Sequence, residues 1–141
     1  AGTAADMVET VLGAITLKAN SLGAVGEGIR VKAWGTVAAN ANAKTIRLRF
    51  GGVAGDILVL NDVTTAPNGV DWELDAHIYF ASPTNQEAIA EGQVGAVLQS
   101  KNWSQPRQNE AVNVDVSLTG QNGVAAANDI VFKGMVVEML T

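Results

Sequence analysis

Residues 71–80 place the tightest constraint on what this chain can fold into. Trp72, Leu74, Ala76, Ile78 and Phe80 alternate with Asp71, Glu73, Asp75, His77 and Tyr79. A repeat of two residues is that of a β-strand with one buried and one wet face. Trp72 falls on the apolar side and is expected in the core, while the acidic ladder Asp71, Glu73 and Asp75 falls on the outer side.

The same period occurs twice in residues 28–52, GIRVKAWGTVAANANAKTIRLRFGG. Ile29, Val31, Ala33 and Val37 alternate with Arg30, Lys32, Trp34 and Thr36, and Ile46, Leu48 and Phe50 alternate with Thr45, Arg47 and Arg49. The intervening AANANAK is made of short residues, and asparagine tolerates the left-handed backbone of a turn. The stretch is therefore expected as an antiparallel hairpin whose outer face carries Arg30, Lys32, Arg47 and Arg49.

Weaker patterns complete an all-β chain. Residues 11–18 read as a strand, because Gly13 interrupts the helical stripe of Met7, Val8, Val11, Leu12 and Ile15, and Ile15 and Leu17 then alternate. Further strands are expected over 56–63, 86–99, 112–118 and 130–140. Between them, SLGAVGEG, TTAPNG, SPTN, the polar KNWSQPRQNE with Trp103 and TGQNGVAAAND supply the connections. Gly134 is expected at a bulge, since the apolar residues change face around it. About eight strands with no long helix predict an antiparallel β-sandwich of jelly-roll type, with residues 1–10 as a loose arm and 11–141 as one domain.

Composition bounds the function. Nine Lys plus Arg against fourteen Asp plus Glu give a net charge of −5, which argues against sequence-independent binding of nucleic acid. Charged residues make up only 16% of the chain, and a surface of small neutral residues suits burial against copies of itself. With no cysteine, neither a disulfide framework nor a thiolate metal site can form. No apolar run approaches the roughly 20 residues of a membrane span, and the first ten residues lack a signal-peptide layout, so a soluble chain with no membrane partner is expected.

Catalytic chemistry finds no foothold. His77 is the sole histidine and sits mid-strand with no Gly-x-Ser-x-Gly elbow or cysteine; an outward position leaves it free for a pH-responsive interface. VGEG and FGGVAGD lack the Lys-Ser/Thr end of a phosphate loop. Asp71, Glu73 and Asp75 stand about 6–7 Å apart along a straight strand, too spread for one calcium ion. No enzyme activity, cofactor or metal is expected.

What remains are candidate interface residues. Like charges stacked along one face are unfavourable, so Arg30, Lys32, Arg47 and Arg49 on one side and Asp71, Glu73 and Asp75 on the other should each face an opposite ladder, across a sheet or across a subunit boundary. The plain alternative is two solvated strand faces. Trp34 on an outward face and Trp103 in a loop fit either an oligomer interface or stacking on a glycan.

Several segments are similar to a known group. AITLKANSLGAVGEGIRVKAWGTVAANANAKTIRLRFGG, WELDAHIYF and LTGQNGVAAANDIVFKGMVVEML, together spanning residues 15–140, resemble small bacteriophage virion proteins with a jelly-roll fold, which include capsid decoration or cement proteins and related tail-associated modules. The resemblance implies a structural role on the outer surface of a phage particle, commonly as a homotrimer bound to the major capsid protein, and brings no catalytic residue. The expected contact elements are residues 1–6 and the loops 38–44 and 101–110. The alternative is a tail or fibre module that binds host-surface carbohydrate around Trp103.

Overall fold

The computed structural model describes residues 1–63 and 69–140. Among these are nine strands: β1 (Thr10–Leu17), β2 (Gly28–Val37), β3 (Lys44–Phe50), β4 (Asp56–Val63), β5 (Val70–Ser82), β6 (Asn85–Val94), β7 (Val97–Ser104), β8 (Val114–Asn122) and β9 (Ile130–Leu140). They form two antiparallel sheets, in the orders β1-β8-β3-β4 and β7-β6-β5-β2-β9. The all-β sandwich is thus present, with one strand more than the count from the sequence. The chain changes sheet five times, the wrapped winding that a jelly-roll type of sandwich uses to cover both apolar faces.

The alternating residues behave as the period requires. Trp72, Leu74, Ala76, Ile78 and Phe80 of β5, Ile29 and Val31 of β2, Ile46, Leu48 and Phe50 of β3, and Val116 and Leu118 of β8 are all buried in one core. The indole of Trp72 donates from Nε1 to the Thr36 carbonyl at 3.2 Å, so its one polar group enters the core satisfied. The sandwich is closed along one side by side-chain amides. Asn61 Nδ2 of β4 donates to the Gln93 carbonyl and Asn102 Nδ2 of β7 to the Leu58 carbonyl.

The expected hairpin over 28–52 does not form. β2 pairs with β5 and β9, and β3 pairs with β4 and β8, so the two strands lie in opposite sheets. Alternation tells each strand which face is apolar, and two apolar faces are satisfied equally by lying side by side or by facing each other across roughly 10 Å of core. Residues 38–43 make the crossing without left-handed asparagines; among the described residues the non-glycine positions of positive φ are Asn20 and Asn128. Asn40 and Asn42 serve through their side chains instead, which donate to Asp129.

Three further boundaries differ. The single strand expected over 86–99 is two, β6 and β7, because Gly95 adopts φ of 60° and turns the chain. Trp103 consequently stands in edge strand β7 rather than in a loop. TGQN is strand, forming the end of β8 against β3. By contrast β9 spans the expected residues, and its pairing with β2 slips at Phe132–Gly134, so that Ile130 and Phe132 before the bulge and Met135 and Val137 after it point to the core. Of the turn expected at TTAPNG, residues 64–68 lie outside the described residues.

Residues 1–9 are not a loose arm. Thr3 is buried; its N–H donates to the Ile130 carbonyl and its own carbonyl accepts from Asn128 N–H, while Ala1 carbonyl accepts from Phe132 N–H. Further on, Asn122 Nδ2 donates to the carbonyls of Ala4 and Asp6. Backbone groups of this segment are satisfied by β9 and β8, which a freely reaching arm would leave to water.

Candidate functional site

The outer face of the five-stranded sheet gathers most of the candidate residues. β2 lies between β9 and β5 and presents Arg30, Lys32, Trp34 and Thr36 outward, while β5 presents Asp71, Glu73 and Asp75 beside them. In the register Arg30 is opposite His77 and Lys32 opposite Asp75, so each cation reaches diagonally to the next carboxylate along β5. Arg30 Nη2 bonds Asp75 Oδ2 at 2.8 Å, and Lys32 Nζ lies 3.3 Å from Glu73 Oε1. The hydrogen bond and charge of Asp75 raise the Arg30 pKa above its ordinary range. Two members of the acidic ladder, Glu73 and Asp75, therefore find their cationic partners within the same sheet.

Arg47 and Arg49 are elsewhere. They stand on β3, in the opposite sheet, so the four cations expected on one face divide into two pairs. Their partner is Glu9, which the sequence reading did not single out. Arg49 reaches it with Nε at 2.7 Å and Nη2 at 3.0 Å, Arg47 approaches at 3.5 Å, and Thr119 Oγ1 donates to it at 2.7 Å. The Arg49 hydrogen bonds lead in holding the Glu9 carboxyl below the ordinary carboxylate range, against the opposing effect of burial. This cluster ties the N-terminal segment to β3 and β8.

The two outward tryptophans occupy different places. Trp34, 37% exposed, lies over Gly134 of β9, opposite which it pairs. A Cβ at Gly134 would come within 2.5 Å of Trp34 Cζ2 and 2.8 Å of Cε2, so the ring rests on bare backbone that only glycine offers. Trp103, 59% exposed, stands on β7 opposite Ile89. β7 is open on both faces along most of its length, with Val97 and Leu98 also exposed.

A groove of about 770 Å³ runs over β2, β5 and β9. Arg30, Lys32, Trp34, Asp71 and Glu73 all line it, Asp75 adjoins it through Arg30, and Trp103 lies outside it. Gln93 of β6, Lys133 at the β9 bulge and Glu138 of β9 also line it, and none of the three was singled out from the sequence. The bulge was visible there, but the ring seated on it requires knowing that β9 runs beside β2.

His77 lies on the outward side of β5, its ring centroid 6.5 Å from that of Tyr79, between Arg30 and Ile89 in the register. Among the described residues, no group of three or more His, Asp or Glu side chains is placed to hold a metal ion.

Two buried polar sites lie away from the groove. Lys44 and Asp129, both almost wholly buried, sit at the mouth of the β2–β3 connection. Lys44 Nζ donates to Asn40 Oδ1 and the Asn42 carbonyl, each at 2.7 Å, while Asp129 accepts from Asn40 Nδ2 at 2.8 Å and Asn42 Nδ2 at 2.9 Å. The asparagines thus stand between opposite charges, and burial holds the Lys44 ammonium below its ordinary pKa range against the opposing pull of Asp129. Glu110, between β7 and β8, is buried with Oε1 lacking a hydrogen-bond partner, and burial raises its carboxyl above the ordinary range.

No protein-family model matches the chain, and no curated protein matches its sequence.

Proposed function

We propose that this chain is a non-enzymatic structural protein of a bacteriophage particle, a decoration or cement protein that binds the outer surface of the assembled head as a homotrimer and contacts the major capsid protein. The observation that carries the self-associating part of this reading is β7, an edge strand of eight residues whose Val97, Leu98 and Trp103 stand open to solvent. Unpaired backbone beside exposed apolar side chains is a surface that proteins cover, with another chain or with a partner. The phage context rests on the resemblance of residues 15–140, and sparse charge favours contact with protein rather than nucleic acid.

The mechanism is mass action. A protein that binds only the assembled shell and bridges neighbouring subunits stabilises it by RT ln(1 + [L]/Kd), about 2.7 kcal/mol at a hundredfold excess over Kd. Contact through β7 and the 105–110 connection replaces the N-terminal arm in this scheme, since residues 1–9 are engaged by β8 and β9. The experiment is light scattering on the purified protein, then co-sedimentation with phage heads that lack it. Three chain masses and saturable co-pelleting support the reading, while a monomer that stays in the supernatant refutes it.

A further inference from the structure

We infer that the groove over β2, β5 and β9 is a carbohydrate site for a neutral pyranose chain, with Trp34 as its stacking platform. This goes beyond the head-decoration reading, and it rests on the joining of Trp34, seated on Gly134, with Asp71, Gln93 and Lys133 in one groove.

The groove contains the two kinds of surface that a sugar presents in reverse. A pyranose has an apolar face of C–H groups and a rim of hydroxyls. The indole of Trp34 packs against the Gly134 backbone and lines the groove, and a rigid ring loses little entropy when a flat C–H face covers it. Around it the polar groups divide into spent and unspent. Arg30 with Asp75 and Lys32 with Glu73 are paired and hold the wall. Among the described residues, the side chains of Asp71, Gln93 and Lys133 and the Trp34 indole N–H make no hydrogen bond or ion pair to protein. A carboxylate that accepts, an amide that does both and an ammonium that donates match hydroxyls, each of which offers a donor and an acceptor.

Charge selects among sugars. Three cations, Arg30, Lys32 and Lys133, and three carboxylates, Asp71, Glu73 and Glu138, line the groove, so their fields cancel and a polyanion gains little there. A volume of about 770 Å³ lies within the roughly 300–1,000 Å³ of small-molecule clefts.

The test is a fluorescence titration with cellotetraose, maltotetraose and the β-1,4-linked N-acetylglucosamine tetramer, with a heparin tetrasaccharide as the anionic control. Trp103→Phe serves as the parent, so that Trp34 and the buried Trp72 supply the emission. At least one neutral tetrasaccharide should shift the emission with a Kd below about 10 mM. Adding Trp34→Ala should weaken that binding at least about tenfold, read by calorimetry because the reporter is gone. Asp71→Ala, at an exposed position with no side-chain partner, should weaken it about threefold or more with an unchanged melting curve. Absence of binding by every neutral probe overturns the proposal, as does undiminished binding by the Trp34→Ala protein. Binding of heparin alone also overturns it and leaves the platform to a different partner. None of these outcomes depends on whether the protein is a trimer or pellets with phage heads.

Discussion

Replacing Asn40 by alanine should cost more stability than replacing Asn42, although both stand in the same loop between the same two charges. Asn40 accepts from Lys44 Nζ at 2.7 Å and from Asn42 N–H at 3.0 Å, and donates to Asp129 Oδ1 at 2.8 Å. Its loss deprives both a buried ammonium and a buried carboxylate of a bond. The Asn42 side chain contributes one such bond, to Asp129 Oδ2 at 2.9 Å, because its service to Lys44 comes from the backbone carbonyl, which alanine keeps. Hydrogen bonds to charged groups contribute about 1.5–3 kcal/mol each. With water entering the gap, Asn40→Ala should therefore cost about 2–4 kcal/mol and Asn42→Ala about 1–2 kcal/mol. The assay is urea unfolding at pH 7 and one fixed protein concentration, followed by tryptophan emission, with unchanged slope as the check that the unfolded state is the same. In a thermal scan each kcal/mol corresponds to about 3 °C at this chain length. Equal costs within about 0.5 kcal/mol, or a milder Asn40→Ala, would refute the account of Asn40 as the bridge between the charges.

Two further perturbations probe the core and the N-terminal tie. Trp72→Ala should cost about 3–5 kcal/mol by leaving a cavity where the largest buried side chain stood; a melting curve like that of the parent would sink the face assignment of β5. Glu9→Gln should cost about 1–2 kcal/mol near neutral pH, since an amide keeps some contacts but not the charge-assisted ones to Arg49. Because the folded pKa of Glu9 is depressed below its ordinary value near 4.5, that stability is present above the ordinary value and is lost as pH falls through the lower folded one. The difference between parent and Glu9→Gln should accordingly be largest above about pH 5 and shrink in acid. A gap independent of pH would show that the carboxylate charge is not what ties residues 1–9 to β3.

Much of the candidate site was legible residue by residue but not as a site. Outward positions for Arg30, Lys32, Trp34, Asp71, Glu73 and Asp75 follow from alternation alone, and the opposite charges of the two ladders suggested a complementary contact. That the contact lies within one sheet depends on β2 and β5 being neighbours, which no local pattern states. Lys133 and Gln93 were invisible because a lone polar residue in a strand has no signature until its neighbours are known. Glu9 was missed for a related reason: a carboxylate in a segment without periodicity looks solvated, and its two arginine partners stand some 40 residues away.

By itself, the sequence determined the faces of the strands and the bulge in β9. A side-chain period of two dictates which residues of β5, β2, β3 and β9 are buried wherever those strands lie, and the bulge at Gly134 is local chemistry of the same kind. Only the tertiary structure decided the pairings. Antiparallel ladders are built from backbone groups that every residue shares, so a strand carries almost no label for its partner. β2 and β3, adjacent in the chain, could have formed a hairpin; instead their apolar faces meet across the core, and the residues between them bring Asn40 and Asn42 to bridge the buried Lys44 and Asp129. The same choice set β9 beside β2, which brought Gly134 beneath Trp34 and made a groove from residues 100 positions apart.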